Sequence, residues 1–256
     1  MDLELNGKRA LVLGASRGLG MAIAKSLAAE GATVIAAARS RDKIADWAEG
    51  MTDVTPLALD LADLSQVDGV VDELLKDGGV DIIVNNGGGP PPGTAQSAER
   101  GQWLTHFEAM AANLFHLNTR LLPAMKGRGW GRIVSITSSG VEQPIPNLAL
   151  SNGIRSAVVG WSKTLANEVA GDGITVNVVM PGRIHTQRVD ELDAAAAKRT
   201  ETDVADVAAK SRATIPAGRY GKPEEFADVV TFLASARAGY VTGSKIRIDG
   251  GSIKSI

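Results

Sequence analysis

The chain has 256 residues, of which 44% are hydrophobic and 22% charged, and its net charge is −2. That length suits one large α/β domain, and the near-neutral balance without a basic run argues against nucleic acid or an anionic membrane as partner. There is no cysteine and there are only three histidines, His106, His116 and His185; disulfides, thiolate metal sites and a cysteine nucleophile are excluded, and no metal site is expected.

The opening residues, Met1 to Lys8, carry no signal-peptide pattern, and no apolar run approaches the ~20 residues of a membrane span. A cytoplasmic protein is therefore expected. Ala10 to Leu13 is a short apolar run of the kind that forms a strand buried on both faces. Gly14, Gly18 and Gly20 follow in the spacing G-x-x-x-G-x-G. Leu19, Ile23, Leu27 and Ala28 then recur at helical spacing until Gly31. Strand, glycine turn and helix make a phosphate cradle: the turn lets backbone approach a pyrophosphate, and the helix start offers free N–H groups and a positive dipole end. Ala32 to Ala38 predicts a second buried strand ending at Arg39, with helix continuing to Glu49. A third strand is expected over Thr55–Leu59, ending at Asp60, then an amphipathic helix over Leu64–Leu75. Val80–Val84 predicts a fourth strand running into Asn85–Gly93, whose glycines and prolines exclude a helix or strand interior. Residues 99–126 read as mostly helical. Arg132–Ile136 predicts strand five, ending at Thr137-Ser138-Ser139, followed by a helix over Gly153–Val169. Thr175–Val179 predicts strand six, ending at Met180-Pro181-Gly182. The polar, Ala-rich stretch 187–212 predicts one or two helices, Pro223–Ala234 another, and Lys245–Ile248 a seventh strand.

This alternation predicts α/β architecture: a single doubly wound Rossmann-fold domain over residues 1–256, with a seven-stranded parallel sheet and helices on both faces. Ligands of such sheets bind beyond the strand C-termini. The unusual loops (14–20, 39, 60, 85–93, 137–139 and 181–186) all fall there. The stretch 187–215 is the one long excursion at that edge and is expected to act as a substrate lid.

At this point the motifs resemble the short-chain dehydrogenase/reductase family over essentially the whole chain, and its 3-oxoacyl-carrier-protein reductases in particular. Gly14-x-x-x-Gly18-x-Gly20 resembles the family's cofactor loop, and Asn85-Asn86-Gly87-Gly88 its Asn-Asn-Ala-Gly. Pro181-Gly182 with Thr186 resembles the segment beside the nicotinamide. Pro216-x-x-Arg219-x-Gly221-x-Pro223-Glu224-Glu225 and Val241-Thr242-Gly243 with Asp249-Gly250-Gly251 resemble its C-terminal signatures. The resemblance implies cofactor contacts at Gly14, Ser16, Arg17, Gly18, Leu19, Gly20, Arg39, Asp60, Leu61, Asn86, Gly87, Gly88, Arg155, Pro181, Gly182, Ile184 and Thr186. Charge argues for NADP(H) over NAD(H): Arg17 and Arg39 suit an adenosine 2′-phosphate, and strand two ends Ala37-Ala38-Arg39 without the acid that holds an unphosphorylated ribose. Asp60 and Leu61 resemble adenine-contacting positions; Asp60 also suits a cap of the following helix.

Members of the family typically carry Asn, Ser, Tyr and Lys as catalytic residues. Here Ser138 falls at the serine position. Counting along the chain puts Ser151 at the tyrosine position, Arg155 at the lysine position and Met110 at the asparagine position, with Asn113 as the alternative three residues on. A serine hydroxyl is a poor proton donor beside a phenol of pKa ~10. Arg155 keeps the positive charge and gains a planar fork that suits ribose hydroxyls, a carboxylate or an oxyanion. His185 is a possible substitute acid, or a packing residue of the lid. Asn152 is no acid. His106 and His116 are expected to be structural or interfacial, and Lys163 to lie outside the site.

Ser138, Ser151 and Arg155 are thus the candidate catalytic set of an NADP(H)-dependent oxidoreductase that reduces a carbonyl, quinone or imine. The alternative is an NADP(H)-binding protein with little redox activity, a sensor or partner subunit. A non-redox role like that of the related halohydrin dehalogenases is disfavoured, because those enzymes give up the glycine loop and keep the tyrosine. The expected partners are a small-molecule substrate and, by resemblance, further copies of the chain in a homotetramer or homodimer that pairs helices 99–126 and 153–170. Trp103, Phe107, Leu114 and Leu117 suit either that apolar face or the core.

Overall fold

Alternation along the strands sets the architecture. The computed structural model describes residues 1–256. In β1 (Arg9–Leu13), Ala10 and Val12 enter one apolar layer while Leu11 and Leu13 enter the other; β2 (Thr33–Ala38) divides in the same way, Val34 and Ala36 against Ile35 and Ala37. A sheet apolar on both faces must be covered on both, and parallel strands with crossover helices do this. The remaining strands are β3 (Val54–Ala58), β4 (Ile82–Asn85), β5 (Gly131–Ile136), β6 (Ile174–Pro181) and β7 (Lys245–Ile248). Their order is β3-β2-β1-β4-β5-β6-β7, and every pairing is parallel. The order reverses between β1 and β4, which opens the crevice where such sheets bind ligands.

One face is covered by α1 (Gly18–Ala29), α2 (Arg41–Trp47) and α9 (Pro223–Leu233), anchored by Ile23, Ile44 and Phe226. The other is covered by α3 (Leu64–Lys76), α5 (Asn113–Arg128) and α6 (Ala149–Val169), anchored by Val71, Leu117 and Leu165. Between Asn85 and α5 lie α4 (Arg100–Phe107) and a π-turn over Glu108–Ala112. The excursion after β6 forms two helices, α7 (Gln187–Thr200) and α8 (Val204–Ala213). No helix is long and apolar enough to cross a membrane.

Two boundaries differ from expectation for clear reasons. Helix α6 starts at Ala149 rather than Gly153, because Leu150, Ile154 and Val158 extend its buried stripe by a turn. Strand β6 continues to Pro181, which pairs with Ile248 on the edge strand β7. Pro56 likewise sits on an edge strand, β3, where a missing N–H costs little. The apolar candidates on the central helix divide: Leu114 and Leu117 are core, while Phe107 is exposed and Trp103 packs beneath Gly153 of α6.

Candidate functional site

The glycine turn is tight enough to require its glycines. Gly14 has φ +64°, and a Cβ there would lie 2.6 Å from the Asn86 carbonyl oxygen. Gly20 has no space either, since a Cβ would come within 2.3 Å of the Gly14 carbonyl oxygen. Neighbouring side chains brace the turn. Asn86 Nδ2 donates to the carbonyls of Leu13 (3.2 Å) and Gly14 (3.3 Å), and Trp47 Nε1 donates to Ala15 (3.1 Å). Helix α1 then begins without a side-chain cap, Arg17 being the N-cap residue. Its first N–H groups are left for a ligand oxygen, in the manner of anion-binding helix starts. Close backbone approach and an uncapped helix start together fit a dinucleotide pyrophosphate.

Around this cradle most of the candidate cofactor residues converge. Ser16, Gly18 and Leu19 are half-buried in the turn, and Thr186 packs on Gly18, its Cγ2 3.6 Å from where a Cβ would stand. Pro181 and Gly182 follow at the end of β6. A Cβ on Gly182 would meet Asp249 Cα at 2.6 Å, which explains why the Asp249-Gly250-Gly251 corner accompanies them. Ile184 is buried and pairs in parallel with Gly221. Gly87 sits against Leu61, whose carbonyl accepts from Asn113 Nδ2 at 2.8 Å. Gly88 and Arg39 are exposed.

Two expectations about charged groups change. Arg17 does not point freely into the crevice. Its Nη1 donates to Glu191 of α7 at 2.8 Å, and that bond holds the Glu191 carboxyl below its usual range. Asp60 does not cap α3. That cap is Asp63, which accepts from the amides of Ser65 (3.0 Å) and Gln66 (3.2 Å); Asp60 closes its own turn through the Ala62 amide.

The catalytic candidates lie just after β5 and on α6. Ser138 Oγ accepts from the Gly140 amide (3.0 Å). Ser151 and Arg155 share a face of α6 at i,i+4 spacing. Arg155 Nη1 donates to the Ile136 carbonyl at 3.1 Å, and a Cβ on Gly89 would lie 3.9 Å from Nη2. The guanidinium therefore bridges the end of β5 and the loop after β4. No carboxylate pairs with it, and burial lowers its pKa to about 10.

The choice between Met110 and Asn113 turns on the π-turn. Met110 lies within it and packs against the apolar cluster of Ala111, Leu150, Ile154 and Val158. Asn113 starts α5 buried, spending its amide on Leu61. Met110 offers no polar group, and the Asn113 amide is turned to Leu61.

His185 is not in this group. It is exposed, 3.1 Å from Asp190 Oδ1, and borders a separate cleft of about 350 Å³ with Tyr220 and Arg212. Asn152 spends Nδ2 on the Ile145 carbonyl (2.9 Å). His116 pairs with Asp68 (2.7 Å), in keeping with a structural role. Lys163 lies over Gly243 in another cleft.

Three supporting features rest on partners far apart in the chain. The buried amides of Asn85 and Asn118 hydrogen-bond each other reciprocally, and Asn85 also reaches Ser135 Oγ (3.1 Å), which locks β4, β5 and α5 together. Asp193 of α7 is buried and accepts from Arg183 (2.8 Å) and from the Tyr220 hydroxyl (2.7 Å). Glu191 reaches the phosphate loop. Only the residue types were visible in the sequence; their pairings depend on elements far apart in the chain.

A doubly wound parallel sheet with a glycine turn at its switch point defines a dinucleotide-binding fold. The chain belongs to the short-chain dehydrogenase/reductase family: the family model described as Enoyl-(Acyl carrier protein) reductase matches residues 14–252. The 3-oxoacyl-[acyl-carrier-protein] reductase of Escherichia coli (strain K12) is 37% identical over 257 residues, covering 97% of this chain and 98% of that protein. The corresponding reductase of Thermotoga maritima is 35% identical over 256 residues, covering 98% and 100%. Among solved structures, L-sorbose reductase from Gluconobacter frateurii, complexed with NADPH and L-sorbose, superposes with a TM-score of 0.94 at 33% identity over 100% of both chains. YwfH, an NADPH-dependent reductase involved in bacilysin biosynthesis, gives 0.92 at 29% identity, covering 97% of this chain and 99% of that one.

Proposed function

We propose that this protein is an NADP(H)-dependent reductase of a carbonyl, quinone or imine, working with Ser138, Ser151 and Arg155 in place of the family's usual Ser, Tyr and Lys. The observation that carries the proposal is the intact cradle at Gly14–Gly20 with the unpaired Arg155 cation across the crevice. NADP(H), when bound, supplies the hydride. The chain's own residues bind and orient: the α1 amides take the pyrophosphate, Arg17 and Arg39 the 2′-phosphate, and Thr186 and Ile184 flank the nicotinamide. Ser138 donates to the substrate oxygen, and Arg155 holds the ribose edge while its charge stabilises the developing oxyanion. Water delivers the proton, because Ser151 is too weak an acid to do so at neutral pH. Helices α7 and α8, within 187–215, serve as the lid. Exposed Leu104 and Phe107 on α4 favour a homotetramer or homodimer.

The test is NADPH oxidation over a panel of ketones, quinones and imines, with product analysis. The joint restoration Met110→Asn, Ser151→Tyr and Arg155→Lys raises ketone reduction if the missing acid is limiting. One observation favours a second reading, an NADP(H)-binding sensor or partner subunit. Asn152 is tied to Ile145, and His185 faces Asp190, so the face of Arg155 carries no group that titrates near neutrality. Tight NADPH binding without turnover on the whole panel selects that reading.

A further inference from the structure

The two buried or half-buried arginines at the ends of β5 differ in how they are satisfied. Arg132 near its start is 4% exposed, and three of its five N–H donors are bonded to protein carbonyls. Nε donates to Ser235 (3.0 Å), Nη1 to Gly131 (2.8 Å) and Gly173 (3.2 Å), and the plane stacks 4.3 Å from the Trp130 ring centroid. That is a structural arginine, its charge spread over carbonyls and a π-face. Arg155 at the other end has five N–H donors and one protein acceptor, the Ile136 carbonyl. Glu142, the first carboxylate after β5 in the chain, pairs instead with Lys245 (2.8 Å) and Arg247 (3.3 Å).

Arg155 is half-buried, and its remaining N–H donors have no protein acceptor and stay open to an anionic ligand. The nicotinamide ribose offers only neutral hydroxyls, so cofactor binding leaves the charge unbalanced. The pyrophosphate would be held by the uncapped α1 start rather than by Arg155. Its neighbours are small: Ser151 lies one turn before it on α6, and Gly89, where a Cβ would stand 3.9 Å from Nη2, carries no side chain.

We propose that Arg155 is the docking point for a carboxylate on the substrate, so that the substrate is a keto acid or another reducible group bearing a carboxylate, rather than a neutral ketone. This rests on the reading of the crevice as an NADP(H)-dependent reductase site. The planar fork matches a carboxylate in two parallel N–H···O bonds, with Ser151 and Ser138 as the neighbouring hydroxyl donors.

The test uses calorimetric titration of the full-length protein, free and saturated with NADP⁺, with matched pairs of 2-, 3- and 4-oxo acids and their methyl esters. Wild-type protein is expected to bind at least one acid at least about tenfold more tightly than its ester, the scale of a charge-assisted, bidentate contact. Arg155→Gln is expected to abolish that preference. Arg155→Lys, which keeps the charge without the fork, is expected to recover part of it, and circular dichroism checks that both variants fold. Equal affinity for acids and esters in the wild type, no binding of any acid, or an acid preference that survives Arg155→Gln overturns the proposal. Failure of NADP⁺ to bind, with the acid preference intact on the free protein, instead overturns the reductase reading and leaves the carboxylate subsite standing.

Discussion

Glu191→Gln isolates the contact between the phosphate loop and the helices beyond it. In the wild type, Arg17 Nη1 lies 2.8 Å from Glu191 Oε1, whereas the other partner of Glu191, Arg188, is at 3.5 Å. Arg17 is thus the main partner. For Arg17 to take the 2′-phosphate of NADP(H) it must leave Glu191. The two side chains are 50% and 38% exposed, so water screens the pair, and exposed pairs of this kind change an equilibrium by about 1.5- to fivefold. The variant is expected to bind NADPH more tightly by that factor and to leave NADH affinity unchanged. High salt narrows the difference between variant and wild type, because it screens the competing pair. The assay is tryptophan fluorescence: Trp47 donates to Ala15 within the glycine turn and reports ligand entry directly. Weaker NADPH binding by the variant, or an equal change for both cofactors, refutes the competition.

Other predictions follow from single contacts. Gly20→Ala forces a Cβ to within 2.3 Å of the Gly14 carbonyl oxygen, so the turn must open; calorimetry is expected to show NADPH binding lost with the fold retained. Asn118→Ala leaves the buried Asn85 carbonyl oxygen without its donor, and urea denaturation is expected to register a loss of about 1–3 kcal/mol. Because burial lowers Arg155 to about 10, carboxylate binding is expected to hold up to pH 9. It then falls as pH rises through 10, since the cation is the binding form. Glu225, drawn down to about 2 by its Arg219 hydrogen bonds, contributes stability that is present above its unfolded value near 4.5 and is lost as pH falls toward 2. Glu225→Gln is expected to flatten that part of the acid-denaturation profile.

Local signals made most of the fold legible. Buried strands such as Ala10–Leu13 and Ala32–Ala38 announce themselves as short apolar runs, and the glycine cradle as turn chemistry between a strand and a helix. Where a boundary depended on a longer stripe, as at Leu150 in α6, counting from Gly153 lost a turn. The site was legible as residue types rather than as partners. Arg17 was visible as a cation in a phosphate loop, but Glu191 lies far along the chain and carries no motif. Asp60 was the cap expected from sequence, and the amide directions of Ser65 and Gln66 select Asp63 instead. At Met110 and Asn113 the difficulty is geometric: a π-turn inserts an extra residue into the helix, so residue counting no longer tracks the face. Arg155 was legible as a cation of the site, while its lack of a carboxylate partner depends on how α6, β5 and the loop after β4 meet.

The central claim is that the Gly14–Gly20 turn, with Arg17 and Arg39 beside it, holds NADP(H). Calorimetric titration of the wild-type protein with NADPH and with NADH tests this most directly. One-to-one binding of NADPH, tighter than NADH by about tenfold or more, is the expected result, as charge-assisted contacts to a 2′-phosphate require. Binding of neither nucleotide, or tighter binding of NADH, contradicts it.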